Sequence, residues 1–139
     1  MKFKRTANAQ WKGSGKEGNG TISTQSKVLD NTQYSFGTRF EDGKGTNPEE
    51  LIGAAHTGCF AMQLSFLLSE EKFTPDSLDV SAEVNFEDGE ITLITLDLKG
   101  KVPKIDDSKF QELAKKAKEI CPISKLLKTK IELTAKLID

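Results

Sequence analysis

The chain is poor in the residues that most often carry chemistry. In 139 residues it has one histidine, two cysteines, one tryptophan and one tyrosine. Two cysteines are too few for the disulfide framework of a small secreted domain. A structural zinc site takes four nitrogen or sulfur ligands, and the soft set here stops at His56, Cys59 and Cys121, so no metal is expected and a metal-binding protein built on these three stays only as a third reading; no cofactor is expected either. No sign of charge dominates: 20 basic residues face 21 acidic ones, for a net charge of -1 and a pI near 5.9, which excludes the basic footprint of a nucleic-acid binder. No unbroken apolar run approaches the roughly 18 residues that span a bilayer. The opening MKFKRTANAQW has no signal-peptide core. These absences are read as a soluble, cytoplasmic protein with no membrane or nucleic-acid partner. Arginine is scarce too, Arg5 and Arg39 being the only two. In a chain that otherwise uses lysine, an arginine raises the question of what a planar bidentate fork does there.

What is present reads as one domain over residues 1–139, long enough to bury a core without staples. Loose alternation predicts strands over 2–13, 20–29 and 33–40, joined by turns. Gly13, Gly15 and Gly18 match a G-x-G-x-x-G pattern, but a strand-like TISTQS follows where a dinucleotide site needs a helix, so the segment is read as a hairpin turn. Asn47 as cap, Pro48 at the first helical position and Glu50 three residues after the cap open a helix expected to reach Leu68. Residues 77–87 put Leu78, Val80, Ala82, Val84 and Phe86 on one face. Asp88-Gly89 turns the chain into a partner strand over 90–102, with Ile91, Leu93 and their successors inward. An amphipathic helix over 106–120 buries Phe110, Leu113, Ala114, Ala117 and Ile120. A short turn near Ser124–Lys128 and a strand over 129–138 finish the chain. The order β-β-β-α-β-β-α-β is an α+β pattern with antiparallel sheets.

The first long helix, with Leu51, Ile52, Ala54, Ala55, Phe60, Met62, Leu64, Phe66 and Leu67, is apolar almost all round, so it is expected to be buried on most sides. Two glycines in it, Gly53 and Gly58, cost about 1 kcal/mol each against alanine, which points to a close approach by a neighbour or a small substrate. Cys59 on that helix is, from packing alone, an inert buried thiol. It becomes reactive only where a cation or donor stabilises its thiolate, and Arg39 is the candidate cation. Glu50 is accounted for by capping, which leaves Glu49 to hold Arg39 by a bidentate pair. Glu49 and Cys59 stand ten positions apart, about 15 Å along a continuous helix. If both serve one site, Glu49 comes from a second subunit, as a twofold dimer would provide. His56 shares a face with Cys59 at three residues' distance and reads as a packing or hydrogen-bonding histidine. Cys121 stands at a helix end before Pro122, exposed in a manner that suits a resolving thiol; the plainer reading is a core residue of the capping region.

The stretches GTISTQSKVL, YSFGTRFEDGKGTNPEELIGAAHTGCFAMQLS, KFTPDSLD and KAKEICPISKLLK resemble the OsmC/Ohr family of organic hydroperoxide reductases over essentially the whole chain, most closely its OsmC branch. The resemblance implies an OsmC-like fold: antiparallel sheets around a long buried central helix, in an intertwined homodimer with active sites at the interface. It implies that Cys59 is the peroxidatic cysteine, Cys121 the resolving one, Arg39 the activator of the thiolate and Glu49 the residue that holds Arg39. It implies reduction of organic hydroperoxides, and more weakly of hydrogen peroxide, in oxidative and osmotic stress defence, with a lipoyl-type dithiol as reductant. An apolar lining of Phe36, Phe40, Phe60 and Met62 is expected to favour organic substrates. Gly58 departs from the pattern, since many relatives carry alanine or another small residue there. The alternative is a redox-responsive sensor or binding module that uses the Cys59/Cys121 pair without turnover. Turnover under a dithiol separates these two readings; both need the two thiols to meet, and a direct bridge needs Cα atoms within about 7 Å.

Overall fold

A computed structural model describes residues 1–139. The chain divides into two compact units, Met1–Leu51 and Ile52–Asp139.

The first unit is a three-stranded antiparallel sheet in the order β1-β2-β3, formed by β1 (Ala7–Lys12), β2 (Asn19–Thr24) and β3 (Thr32–Tyr34). Ala7 pairs with Thr24 and Lys12 with Asn19, so the glycine-rich SGKEG segment is the hairpin connection that its composition predicts. The expected strand over 33–40 ends early. After Tyr34 the chain makes one helical turn, α1 (Phe36–Phe40), because Ser35 and Thr38 form a reciprocal capping box. The Ser35 hydroxyl accepts from the Thr38 amide at 3.2 Å, and the Thr38 hydroxyl accepts from the Ser35 amide at 2.8 Å. A box built on threonine in place of Glu or Gln at the third position is not the usual sequence signature. The loop after α1 is stitched back to β3 by the Thr46 amide donating to the Gln33 carbonyl at 2.9 Å. Gly45 permits this: its φ is +134°, and a Cβ there would lie 2.3 Å from the Gln33 oxygen.

The second unit holds a sheet in the order β4-β5-β6, with β4 (Ser77–Glu87), β5 (Glu90–Lys101) and β6 (Lys130–Ile138). Asp88 and Gly89 both take positive φ, 48° and 83°, as a tight hairpin turn requires. Between Asn85 and Phe86 the pairing slips by a bulge, so Phe86 faces Ile91 and Val84 faces Ile94. Ile91, before the slip, packs partly against the core as expected. Past it the expected face is reversed: Ile94, Leu96 and Leu98 are fully buried and Leu93 is not. One extra residue in one strand transfers every later side chain to the opposite face. β6 runs parallel to β5, so this sheet is mixed, not antiparallel throughout. The cause is topological: the chain crosses back through α3 (Asp107–Ile120) and α4 (Pro122–Leu126), and a connection of that length returns to the same end of the sheet.

The long helix α2 (Pro48–Glu70) starts in the first unit and runs through the second. Its 23 residues are long and apolar enough, by length and composition, to cross a membrane. In the second unit Gly53, His56, Phe60, Leu64, Leu67 and Leu68 are buried. Gly53 allows the close approach its presence implied, since a Cβ there would stand 3.3 Å from Val84 Cγ2 on β4. The opposite side, Ala54, Ala55, Gly58, Met62 and Phe66, is exposed, with Met62 62% and Phe66 57% accessible. Within one chain the helix is therefore buried on one side only. A Cβ at Gly58, on the exposed side, would meet nothing within 4 Å. α3 docks through Phe110, Leu113, Ala114 and Ala117, with Phe110 packed over Gly100 of β5.

Candidate active site

The four residues singled out in the sequence fall into two pairs, one in each unit. In the first unit Arg39, on α1, donates from Nε to Glu49 Oε1 at 2.8 Å. Asn47 sets this arrangement. Its Oδ1 accepts from the Glu50 amide at 2.8 Å and caps α2, while its Nδ2 donates to the Thr38 carbonyl at 3.1 Å. One side chain thus ties the turn carrying Arg39 to the first turn of the helix carrying Glu49. The Glu50 carboxylate accepts from the Thr46 hydroxyl at 2.8 Å, which leaves Glu49 as the arginine's partner, as expected. The bidentate geometry expected for that pair is absent: Glu49 Oε2 is buried without a hydrogen-bond partner. Nε donates to Oε1, and no guanidinium N–H reaches Oε2.

Beside Arg39 lies an open cavity of about 220 Å³ lined by Trp11, Tyr34, Phe36, Phe40 and Pro48 among others. Trp11 and Tyr34 stack at 5.4 Å between ring centroids, and the Arg39 guanidinium lies 5.1 Å from the Phe40 ring. Phe36 and Phe40 thus sit where an apolar lining was expected. Phe60 does not: it is wholly buried in the core of the second unit, because it follows Gly53 and His56 on the inward side of α2. Trp11 and Tyr34 escaped the sequence reading. Each is the only residue of its type, but their meeting depends on strand register.

In the second unit Cys59, on α2, and Cys121, between α3 and α4, bring their sulfurs to 2.9 Å with both thiols free. Cys121 is wholly buried and not exposed at its helix end as expected. It lies four residues past Ala117, so it continues the inward stripe of α3. Its amide closes that helix on the Ala117 carbonyl at 2.9 Å, and Pro122 then opens α4, two residues before the turn expected over 124–128. Burial, then the neighbouring Cys121 thiol, push the Cys59 pKa up, and the Ile123 amide pulls it partly down. No cation is among the groups that shift it. His56 is fully buried, with Nε2 at 2.8 Å from Ser124 Oγ and Nδ1 without a partner. It hydrogen-bonds and packs, and no three His, Cys, Asp or Glu side chains cluster as a metal would need.

Comparison with known proteins shows what the whole chain is similar to. Residues 41–136 match the family described as OsmC-like protein, a span that holds Glu49, Cys59 and Cys121 and begins just after Arg39. Peroxiredoxin OsmC of Escherichia coli is 48% identical, with 96% of each chain covered. The crystal structure of the organic hydroperoxide resistance protein OhrB of Bacillus subtilis superposes with a TM-score of 0.68 at 26% identity, covering 96% of this chain and 98% of that one. The OsmC-like protein of Mycoplasma pneumoniae shares the fold at a TM-score of 0.72 and 17% identity, over 100% of both chains. A mixed α+β chain with this family match and a full-length relative at 48% identity belongs to the OsmC family.

Proposed function

We propose that this chain is a cysteine-based peroxidase that reduces organic hydroperoxides, and hydrogen peroxide more weakly, in oxidative and osmotic stress defence. The observation that carries this reading is the 2.9 Å approach of the Cys59 and Cys121 sulfurs from two separate elements. Membership of a family that includes a peroxiredoxin and a hydroperoxide resistance protein supports it.

In the proposed cycle the Cys59 thiolate attacks one peroxide oxygen. The O–O bond breaks, Cys59 becomes a sulfenic acid, and the leaving alkoxide takes a proton and departs as alcohol. Cys121 then attacks the sulfenic sulfur, forming a disulfide and releasing water. A dithiol reductant, of lipoyl type, restores both thiols and leaves as its own disulfide. Cys59 inside its own unit has a raised pKa and no cation to lower it, so the thiolate needs an external charge. Arg39 supplies it in this reading, steadied by Glu49, and stabilises the charge that moves to the leaving oxygen. Glu49 and Cys59 are ten positions apart on α2, about 15 Å along the helix, which argues that Arg39 and Glu49 act on the Cys59 of a second copy in a homodimer. The exposed apolar side of α2 gives such a copy a surface to cover. The aromatic cavity beside Arg39 suits the organic group of the substrate.

The test is consumption of cumene hydroperoxide with dihydrolipoamide as reductant. Wild type turns over many times and Cys59→Ser does not. Equal consumption by Cys59→Ser would overturn the reading. A single oxidation with no turnover under any dithiol would favour a redox-responsive binding module instead.

A further inference from the structure

His56 and Ser124 form a contact that the cycle above does not use. They lie one helical turn from the two cysteines, and the two contacts run side by side. On α2, His56 and Cys59 are three residues apart. Across from them, Ser124 and Cys121 are also three residues apart, in reverse order. His56 meets Ser124 at 2.8 Å and Cys59 meets Cys121 at 2.9 Å. The pairing fixes the register between α2 and the segment that carries Cys121.

Besides this contact, the segment is held by the buried Cys121, by the Ile123 amide on Cys59 and by partial packing of Ile123 and Leu127; no residue of α4 is fully buried. His56, by contrast, is completely enclosed. A leucine in its place would fill the space without desolvating an imidazole, so packing alone does not account for a histidine. It is also only half satisfied, since Nδ1 has no partner. A bare buried lone pair costs less than a stranded N–H, which selects the tautomer in which Nε2–H donates to Ser124 Oγ. The single bond this histidine makes reaches the middle of α4.

We infer that His56 and Ser124 are positioning residues for disulfide formation: their hydrogen bond latches α4 to α2 and keeps Cys121 aimed at the sulfur of Cys59. The inference rests on the peroxidase reading and concerns its second step. The Cys121 thiol loses its proton, its sulfur bonds to the sulfenic sulfur of Cys59, the S–O bond breaks, and the hydroxyl leaves with that proton as water. A loosened α4 gives the sulfenic acid time to react with a second hydroperoxide, which transfers one oxygen, becomes alcohol and leaves a sulfinic acid.

The experiment treats the reduced full-length protein with cumene hydroperoxide in the presence of dimedone, which traps sulfenic acid. Mass spectrometry then reads how Cys59 partitions between disulfide, dimedone adduct and sulfinic acid. A ratio is independent of how fast the first step runs. Wild type is expected to give the Cys59–Cys121 disulfide almost alone. Ser124→Ala, which deletes one atom from a half-buried residue, is expected to raise the ratio of adduct plus sulfinic acid to disulfide about fivefold, the scale of one neutral hydrogen bond. Ser124→Thr, which keeps the hydroxyl, is expected to restore the wild-type ratio. An unchanged ratio in Ser124→Ala, with wild type forming its disulfide, would overturn the latch and leave the peroxidase reading standing. A wild type that never forms the disulfide would overturn both.

Discussion

A thiol such as Cys59 is defined by its surroundings more than by its position. Burial and the Cys121 thiol raise its pKa, with only the Ile123 amide opposing them. If Arg39 supplies the missing charge, Arg39→Ala moves the midpoint of Cys59 alkylation by iodoacetamide to higher pH by about one unit or more, because an opposite charge favours the ionised form. An unmoved midpoint would remove Arg39 from the site. His56 makes a second prediction. Its pKa is lowered by burial, so the folded protein keeps the ring neutral while the unfolded chain protonates it near pH 6.5. Below that pH the unfolded state binds more protons, and stability falls. The contribution is fully present above about pH 6.5 and is lost progressively in acid. Urea midpoints measured from pH 7.5 to 5 are expected to decline, and to decline less steeply in His56→Gln.

At the scale of elements, the resolving cysteine is placed by the docking of α3. Phe110 is wholly buried over Gly100, where a Cβ would approach its ring to 2.5 Å. Phe110→Ala is expected to cost about 3–5 kcal/mol by leaving a cavity. Gly100→Ala is expected to cost about 1–3 kcal/mol by overpacking the same contact. Both are read from urea unfolding. The opposite signs of the volume change with the same sign of effect would show that the fit between α3 and β5 matters, not the apolar content alone. In the first unit Gly45 has the corresponding place. Its φ of +134° and the Gln33 oxygen 2.3 Å from a would-be Cβ mean that Gly45→Ala displaces the loop joining α1 to α2, and with it the Arg39–Glu49 pair.

At the scale of the whole molecule, the dimer reading predicts complementation. Glu49→Ala and Cys59→Ser chains, each nearly inactive alone, are co-refolded. The mixed dimer has one site with Cys59 from the first chain and Glu49 from the second, so it recovers about half of the wild-type rate per dimer if sites are shared between copies. No recovery would place Glu49 and Cys59 of one chain in the same site. The same reading accounts for α2, a helix long and apolar enough for a membrane by composition yet enclosed on one side by the core of the second unit. The exposed Met62 and Phe66 belong to the side that a second copy would cover.

Local chemistry made much of this protein legible in advance. The cap at Asn47, the Asp88-Gly89 turn, the inward stripe of α3 and the alternation of β4 are short-range signals, decided by residues within a few positions of one another. The family pattern around Cys59 and Cys121 was equally visible, and so was Glu49 as partner of Arg39; Glu50 gives its amide to the Asn47 cap, but its carboxylate takes the Thr46 hydroxyl and not the reciprocal place in a capping box. Part of what stayed hidden is local but carries no usual signature: a threonine-based box cut the third strand short at Tyr34 and opened α1, and a bulge in the hairpin at Asn85/Phe86 decided which face of β5 is inside. The rest depends on residues far apart in the chain: the crossover through α3 and α4 made β6 parallel. The burial of Cys121 and the clasp of His56 on Ser124 depend likewise on where α3 and α4 come to rest. Residue spacing along a strand or helix sets which side chains share a face; only tertiary packing decides which face is covered, and by what.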